Sequence, residues 1–374
     1  MTLQFVDEPA AVRPIQSQFR NTMHTYQSVD AWTKAQDTLL YFAWDSPDEK
    51  FLVVQDWPDG KETILAESTM QDMHTGARQR WIFDDTAVLF RPNPDEHAIV
   101  ELANPMRPRP VDAIQGMGTR QVFDHGDEVV VMNGPEKPAP IKVANLRTGA
   151  MRPILTVDDA VAALPPDLYD PDCTYLFSHP VFNRSRSRMF FKLLKSPGDP
   201  LRHCAMFALN VETHSLVCLG RRISGHPFWL HDDRHILNIK SLKPQVGDPS
   251  EKYSTYHLVT VDSETGIDRP LFDFEFQGPG HPAESPKGRY IVTDTFPFDK
   301  PCSEVLLFDN AENTVRKLAS LPHSFKAGLD TGADDIRRAQ PHPIWAPCGT
   351  MILANCNMNA TRMQLHLIEC PELA

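Results

Sequence analysis

One pattern returns seven times along the chain and restricts the fold more than any other feature. A short apolar run begins at Leu39 (LLYFAW), Ala87 (AVLF), Val129 (VVVM), Met189 (MFFKL), His235 (HILNI), Tyr290 (YIVTD) and Met351 (MILAN). The runs start 42 to 61 residues apart, a period that belongs to repeat architectures. Polar turns precede six of them: AQDT, FDDT, HGDE, HDDR, PKGR and PCGT. Between the runs lie strand pairs joined by Asx-type turns, such as IKVANLRTGAMRPIL from Ile141 and EVLLFDNAENTVRKLA from Glu304. Four strands per unit and seven units predict an all-β fold, a seven-bladed β-propeller forming a single domain over residues 1–374. A lone blade cannot bury both its faces, so its neighbours make the core. Two unrelated β-sandwiches, the alternative, leave the repeat unexplained.

Ring closure adds an expectation. After the MILAN run there is room for MQLHLIE and then only CPELA, so the last blade takes three strands from the C-terminal region. Residues 1–25 are expected to supply the fourth, with LQFV or PIQSQF as the closing strand. The one short helix expected is TVDDAVAALPPD, opened by Asp158. The 33 prolines are scattered, as suits many short connections.

A net charge of −12 without a dense Lys/Arg stripe argues against nucleic acid as a partner and leaves room for a locally positive pocket. No apolar run approaches the roughly 18 residues of a membrane span. MTLQFVDEPAAVRP has neither a basic n-region nor an apolar h-region, so no signal peptide is expected. Seven cysteines without CxxC spacing read as free thiols in a reducing compartment, and the expected location is cytoplasmic. Nothing in the sequence sets an oligomeric state.

Four His-Pro pairs precede four of the runs, in SHPVF, GHPFW, GHPAE and PHPIW. Counting back nine residues from each run, or ten for Met189, gives Asp30, Arg78, Arg120, His179, His226, His281 and His342. Propeller symmetry would gather these at one mouth of the central channel. His-Pro can also be plain repeat chemistry, with proline setting the strand entry and histidine capping backbone groups. Three histidines on successive blades, with Gln340 beside the last, point instead to a divalent cation, because crowded imidazoles repel when protonated. His281, Gln340 and His342 are the expected metal residues. Mn, Zn, Ni or Fe suits imidazole and amide oxygen better than Ca. Arg78 and Arg120 could hold carboxylates bidentately, or form ordinary salt bridges between blades.

GHPFW, GHPAESPKGRYIVTDTFP and RRAQPHPIW resemble blades of the oligogalacturonate lyases. ARQRW, SHPVFN, PHPIW and YIVTDTFP are similar to the propeller lyases acting on ulvan and rhamnose-glucuronate chains, and HPxWxPxGxxI is similar to TolB-like repeats. The resemblance spans most of Met73 to Leu367. It implies a metal-dependent lyase, with manganese the first choice of ion, that cleaves short anionic uronate oligosaccharides by β-elimination. It places metal ligands at His281 and His342 and the base at His226; Arg78, Arg120 and His179 are read from their own positions as candidates to bind substrate. This chain departs from the family at three positions: Gln340 replaces a histidine, Arg337 a glutamine ligand, and Ala205 a catalytic arginine for which Arg202 is the nearest substitute. The elimination removes a proton α to a carboxylate, so it needs that charge neutralised and a base near neutral pH. The alternative is a non-catalytic, TolB-like propeller that binds a partner or ligand through the same face. No nucleotide loop, GxSxG elbow or HExxH helix supports a kinase or hydrolase reading.

Overall fold

The computed structural model describes residues 3–26, 28–58, 60–69, 72, 74–133, 138–196, 203–220, 226–240, 255–278, 280–295, 300–323, 339–359 and 361–373. Each of the seven apolar runs lies in the second strand of its own sheet: Thr38–Ser46, Ala87–Phe90, Glu128–Met132, Arg188–Ser196, His235–Lys240, Tyr290–Asp294 and Met351–Asn359. Seven sheets of four to five strands follow in chain order, numbered here as blades 1 to 7, and the fold is a seven-bladed β-propeller. By contact pattern the chain divides into two units, one of residues 1–110, 241–257 and 272–374, the other of residues 111–240 and 258–271.

The first unit holds blades 1, 2, 6 and 7. The second strand of blade 1 shows why blades must stack. Its alternate residues Leu40, Phe42 and Trp44 pack with Trp81, Val88 and Phe90 of blade 2. The residues between them, Leu39, Tyr41 and Ala43, pack with Leu353, Leu365 and Leu367 of blade 7. A period-2 strand that is apolar on both faces needs a neighbour on each side, and each large side chain so buried contributes about 1.5–3 kcal/mol. In the second unit blade 4 repeats the device, with Phe191 and Phe207 facing one cluster and Phe190 and Met206 the other.

The signature tryptophans add a bond between blades. Trp81 Nε1 donates to Ala31 O at 3.2 Å, Trp229 Nε1 to Val181 O at 2.9 Å, and Trp345 Nε1 to Ala283 O at 3.1 Å. Each acceptor lies in the entry segment of the preceding blade. The indole thus buries its rings while its only donor stays satisfied.

Blade 7 takes three strands from the C-terminal region and its outermost, Ala11–Pro14, from the N-terminus. Closure by an N-terminal strand is as expected, but the segment differs. Gln4–Val6, within LQFV, pairs in parallel with Thr314–Pro322 of blade 6, where Phe5 stacks on Phe274. PIQSQF turns inward instead, burying Ile15 and Phe19 against the core shared by blades 1 and 7. Pro14 closes the strand because an outer edge does not need its missing N–H.

The helix spans Val157–Ala162 and is capped by Thr156, not Asp158. Thr156 accepts from the Asp159 amide and Asp159 reaches back to the Thr156 amide, a capping box. Cys173, Cys218, Cys302, Cys348, Cys356 and Cys370 are free thiols. Among the described residues no helix is long and apolar enough to cross a membrane.

Candidate functional site

Three of the seven positions counted back from the apolar runs share a backbone device. Arg78, His179 and His342 have left-handed φ values of 52°, 54° and 45°. In blade 4 this falls within a register shift between Ser178 and Val181, and in blade 3 Arg120 lies in a similar shift between Thr119 and Val122. A bulge of this kind re-aims one side chain out of the ladder. The proline after each histidine has no N–H to lose there.

His281 is held by other means. Its amide donates to Asp294 Oδ1 at 2.6 Å, and its Nδ1 lies 3.0 Å from both carboxylate oxygens. The His342 amide also donates to Asp294, at 3.3 Å to Oδ2. Both imidazoles and Asp294 are fully buried. One carboxylate therefore positions two His-Pro loops, and it favours the His281 tautomer protonated at Nδ1, with the Nε2 lone pair free of the proton.

Around this pair the first unit brings together side chains that strand counting does not select. The His342 ring centre is 4.2 Å from that of His281, 4.7 Å from His74 and 6.3 Å from His24, each edge to face. Tyr26 packs edge-on against His342 at 4.9 Å, and against His74 and His281 at 5.9 Å each. His24 and Tyr26 follow the first strand of blade 1, Asn21–Met23, and His74 lies in the turn before Arg80–Ile82 of blade 2. Asn355 staples the N-terminal segment in place. It accepts from the His24 amide at 3.0 Å and donates to Gln340 O at 3.2 Å, while its own amide donates to Pro341 O at 2.8 Å.

Burial governs the charge of these rings. It pushes His24 down to about 4, against the opposing pull of the His342 and Pro341 carbonyls and of Asp294. Those carbonyls act through space, because neither ring nitrogen of His24 makes a hydrogen bond of ordinary geometry. Burial, then the charges of His74 and His24, drive His281 well below its usual range. At neutral pH these two imidazoles are neutral and keep a lone pair for coordination.

The other expected residues divide by unit. In the first, Gln340 precedes His342, and its Oε1 is buried without a hydrogen-bond partner among the described residues. Arg78 is half-buried beside Asp72 and Thr75, at 3.5 and 3.4 Å. Burial, then the charge of Arg78, lowers Arg91, whose amide donates to Ala77 O, next to Arg78 in the chain, at 2.8 Å. Asp30 is exposed. In the second unit His226 is half-buried ahead of Phe228–Trp229, Arg120 is half-buried on its strand, and His179 Nδ1 lies 2.5 Å from Ser178 Oγ. Ala205 is a core residue of blade 4, facing Phe191 and Phe207 within one cluster. Arg202 and Arg337 lie outside the described residues.

The donor chemistry fits a divalent transition cation. Neutral imidazoles, a buried amide oxygen and a carboxylate behind one histidine are its usual first and outer partners. A buried polar atom without a partner costs about 1–3 kcal/mol, which gives Gln340 Oε1 and the His24 ring a reason to take a ligand. As the side chains stand, no group of three or more His, Cys, Asp or Glu among the described residues converges at coordination spacing.

No protein-family model matches the chain, and no curated relative matches it by sequence. Solved structures do match. An oligogalacturonate lyase in complex with manganese aligns over 99% of both chains at 16% identity, with a TM-score of 0.69. The oligogalacturonate lyase of Vibrio parahaemolyticus aligns over 100% of this chain and 98% of its own at 14% identity, with a TM-score of 0.71. A puromycin hydrolase aligns over 98% of this chain but 56% of its own at 12% identity, with a TM-score of 0.60. At these identities the likeness is one of fold. The chain is a seven-bladed β-propeller similar from end to end to the oligogalacturonate lyases.

Proposed function

We propose that the protein is a metal-dependent lyase that cleaves short uronate oligosaccharides by β-elimination. The observation that carries this reading is the buried His281–His342 pair, braced by Asp294, in a fold similar to a manganese-bound lyase. A divalent cation held by His281, His342 and Gln340 would neutralise the uronate carboxylate and so acidify the C5 proton. Asp294 fixes the orientation of His281 and favours the tautomer with Nε2 unprotonated. Tyr26, packed on three imidazoles, excludes water from their edges. Arg78 and Arg91 would supply positive charge for an anionic chain on an otherwise acidic protein. The resemblance assigns the base to His226, which takes the proton, and its Ala variant tests that assignment independently. Arg120 and His179 are proposed as further contacts to the substrate, and Arg202 as the substitute for the catalytic arginine.

The test is incubation of the purified protein with oligogalacturonides, with manganese added, followed by ultraviolet absorbance of the conjugated unsaturated uronate. The expected result is an absorbance rise abolished by chelator and by His281→Ala. No product from any uronate oligosaccharide, with stoichiometric metal bound, would overturn the lyase reading.

A further inference from the structure

The departure at Gln340 removes an imidazole from the His-Pro loop of blade 7, yet four imidazoles still crowd together. Two come from the first two blades, in segments with no His-Pro pair. His24 is 1% exposed and neither of its ring nitrogens makes a hydrogen bond of ordinary geometry. Asn355 bonds to both the His24 backbone and the Gln340 carbonyl, so His24 is held beside the residue that lacks the imidazole.

His74 and His24 stand from His342 at spacings that agree with a shared ion, and His281 stands slightly closer. A metal–nitrogen bond of about 2.0–2.1 Å puts an imidazole centre about 3.2 Å from the ion, so two rings on one ion have centres about 4.5–6.4 Å apart. The centres of His281, His74 and His24 lie 4.2, 4.7 and 6.3 Å from that of His342. The rings occupy nearly the right places and need mainly to turn their edges. That turn is soft, because rotation about an imidazole's Cβ–Cγ bond has broad wells.

We propose that His24 and His74 are ligands of the same divalent cation as His281 and His342, so that the N-terminal segment supplies an imidazole to the centre. The inference rests on reading His281 and His342 as a metal pair and is independent of which reaction the protein catalyses. The centre is then an all-imidazole set, with Gln340 available as an oxygen donor. Such a set favours Zn, Ni or Fe over Ca or Mg. Segments from blades 1, 2, 6 and 7 close around one ion, and the ion ties the ends of the chain together.

The experiment is a titration of the chelator-stripped full chain with manganese(II) and with zinc(II), read by competition with a chromophoric chelator. It compares the wild type with His24→Gln, His74→Gln and His281→Gln, each checked for native folding by thermal denaturation. The cobalt(II)-loaded forms give a second readout, the visible ligand-field spectrum, which reports coordination without any turnover. The expected result is one ion per chain in the wild type, binding at least about tenfold weaker in all three variants, and altered cobalt spectra in His24→Gln and His74→Gln. Wild-type affinity and spectrum in both of those variants, with loss only in His281→Gln, would overturn the proposal while leaving the metal pair standing. No ion bound by the wild type would overturn both. Weakened binding in the His24 and His74 variants without any elimination product would support the four-imidazole centre and refute the lyase reading instead.

Discussion

Gly280 fixes how closely the His281 loop can lie on Asp294. A Cβ at this position would overlap the Asp294 carbonyl oxygen and come within 2.5 Å of Thr293 Oγ1. Both atoms belong to a buried strand end that cannot retreat. Gly280→Ala should therefore push the loop outward, costing about 1–3 kcal/mol in urea denaturation and weakening cation binding in the same protein. Wild-type stability and affinity in this variant would show that the loop is not clamped in this way. His281 and His342 were legible in the sequence because a repeated His-Pro sets them in register with strands. His24 and His74 were not, since they sit in segments outside that register and no spacing rule reaches them. Asp294 was hidden differently: inside YIVTD it reads as the end of a strand, and only the pleat reveals that it points at two loops.

At the scale of elements, the two N-terminal strands have separate tasks. Ala11–Pro14 covers the outer edge of Arg362–Glu369, whereas Gln4–Val6 adds a fifth strand to blade 6. Removing residues 1–7 should lower the melting temperature modestly. Removing residues 1–14 should lower it by several degrees more and promote association through the bared edge, as followed by thermal scanning with light scattering. Equal melting temperatures for the two truncations would contradict the closing role of Ala11–Pro14. The half-buried Arg13–Glu369 ion pair, still open to solvent on both sides, adds little to this difference. All seven second strands could be read from the sequence, because a run that is apolar on both faces is strong and periodic. The closing strand could not be placed as well. LQFV, AVRP and PIQSQF alternate similarly, and the choice among them depends on where Ile15 and Phe19 find a core.

The whole molecule should respond to acid through its buried imidazoles. His24 titrates at about 4 in the folded chain and near 6.5 when unfolded, so the folded state binds fewer protons between those values. Its contribution is fully present above about pH 6.5 and is lost as the pH falls toward about 4, by up to roughly 3 kcal/mol. His281 shifts in the same direction and adds to the loss. Urea denaturation of the chelator-stripped protein from about pH 7 down to about pH 4 should show this decline, and His24→Gln should flatten it. A slope unchanged by that variant would mean that His24 is not the buried neutral group described here.

The staple between His24 and Asn355 joins residues 331 positions apart. A ribosome delivers His24 331 residues before Asn355, so this contact cannot exist until the seventh blade has been made. The N-terminal segment must wait, exposed, until the seventh blade is complete, and only then can the imidazole cluster form. Assembly of this site is consequently a late event, and whatever ligand it takes can bind only once the seventh blade is in place.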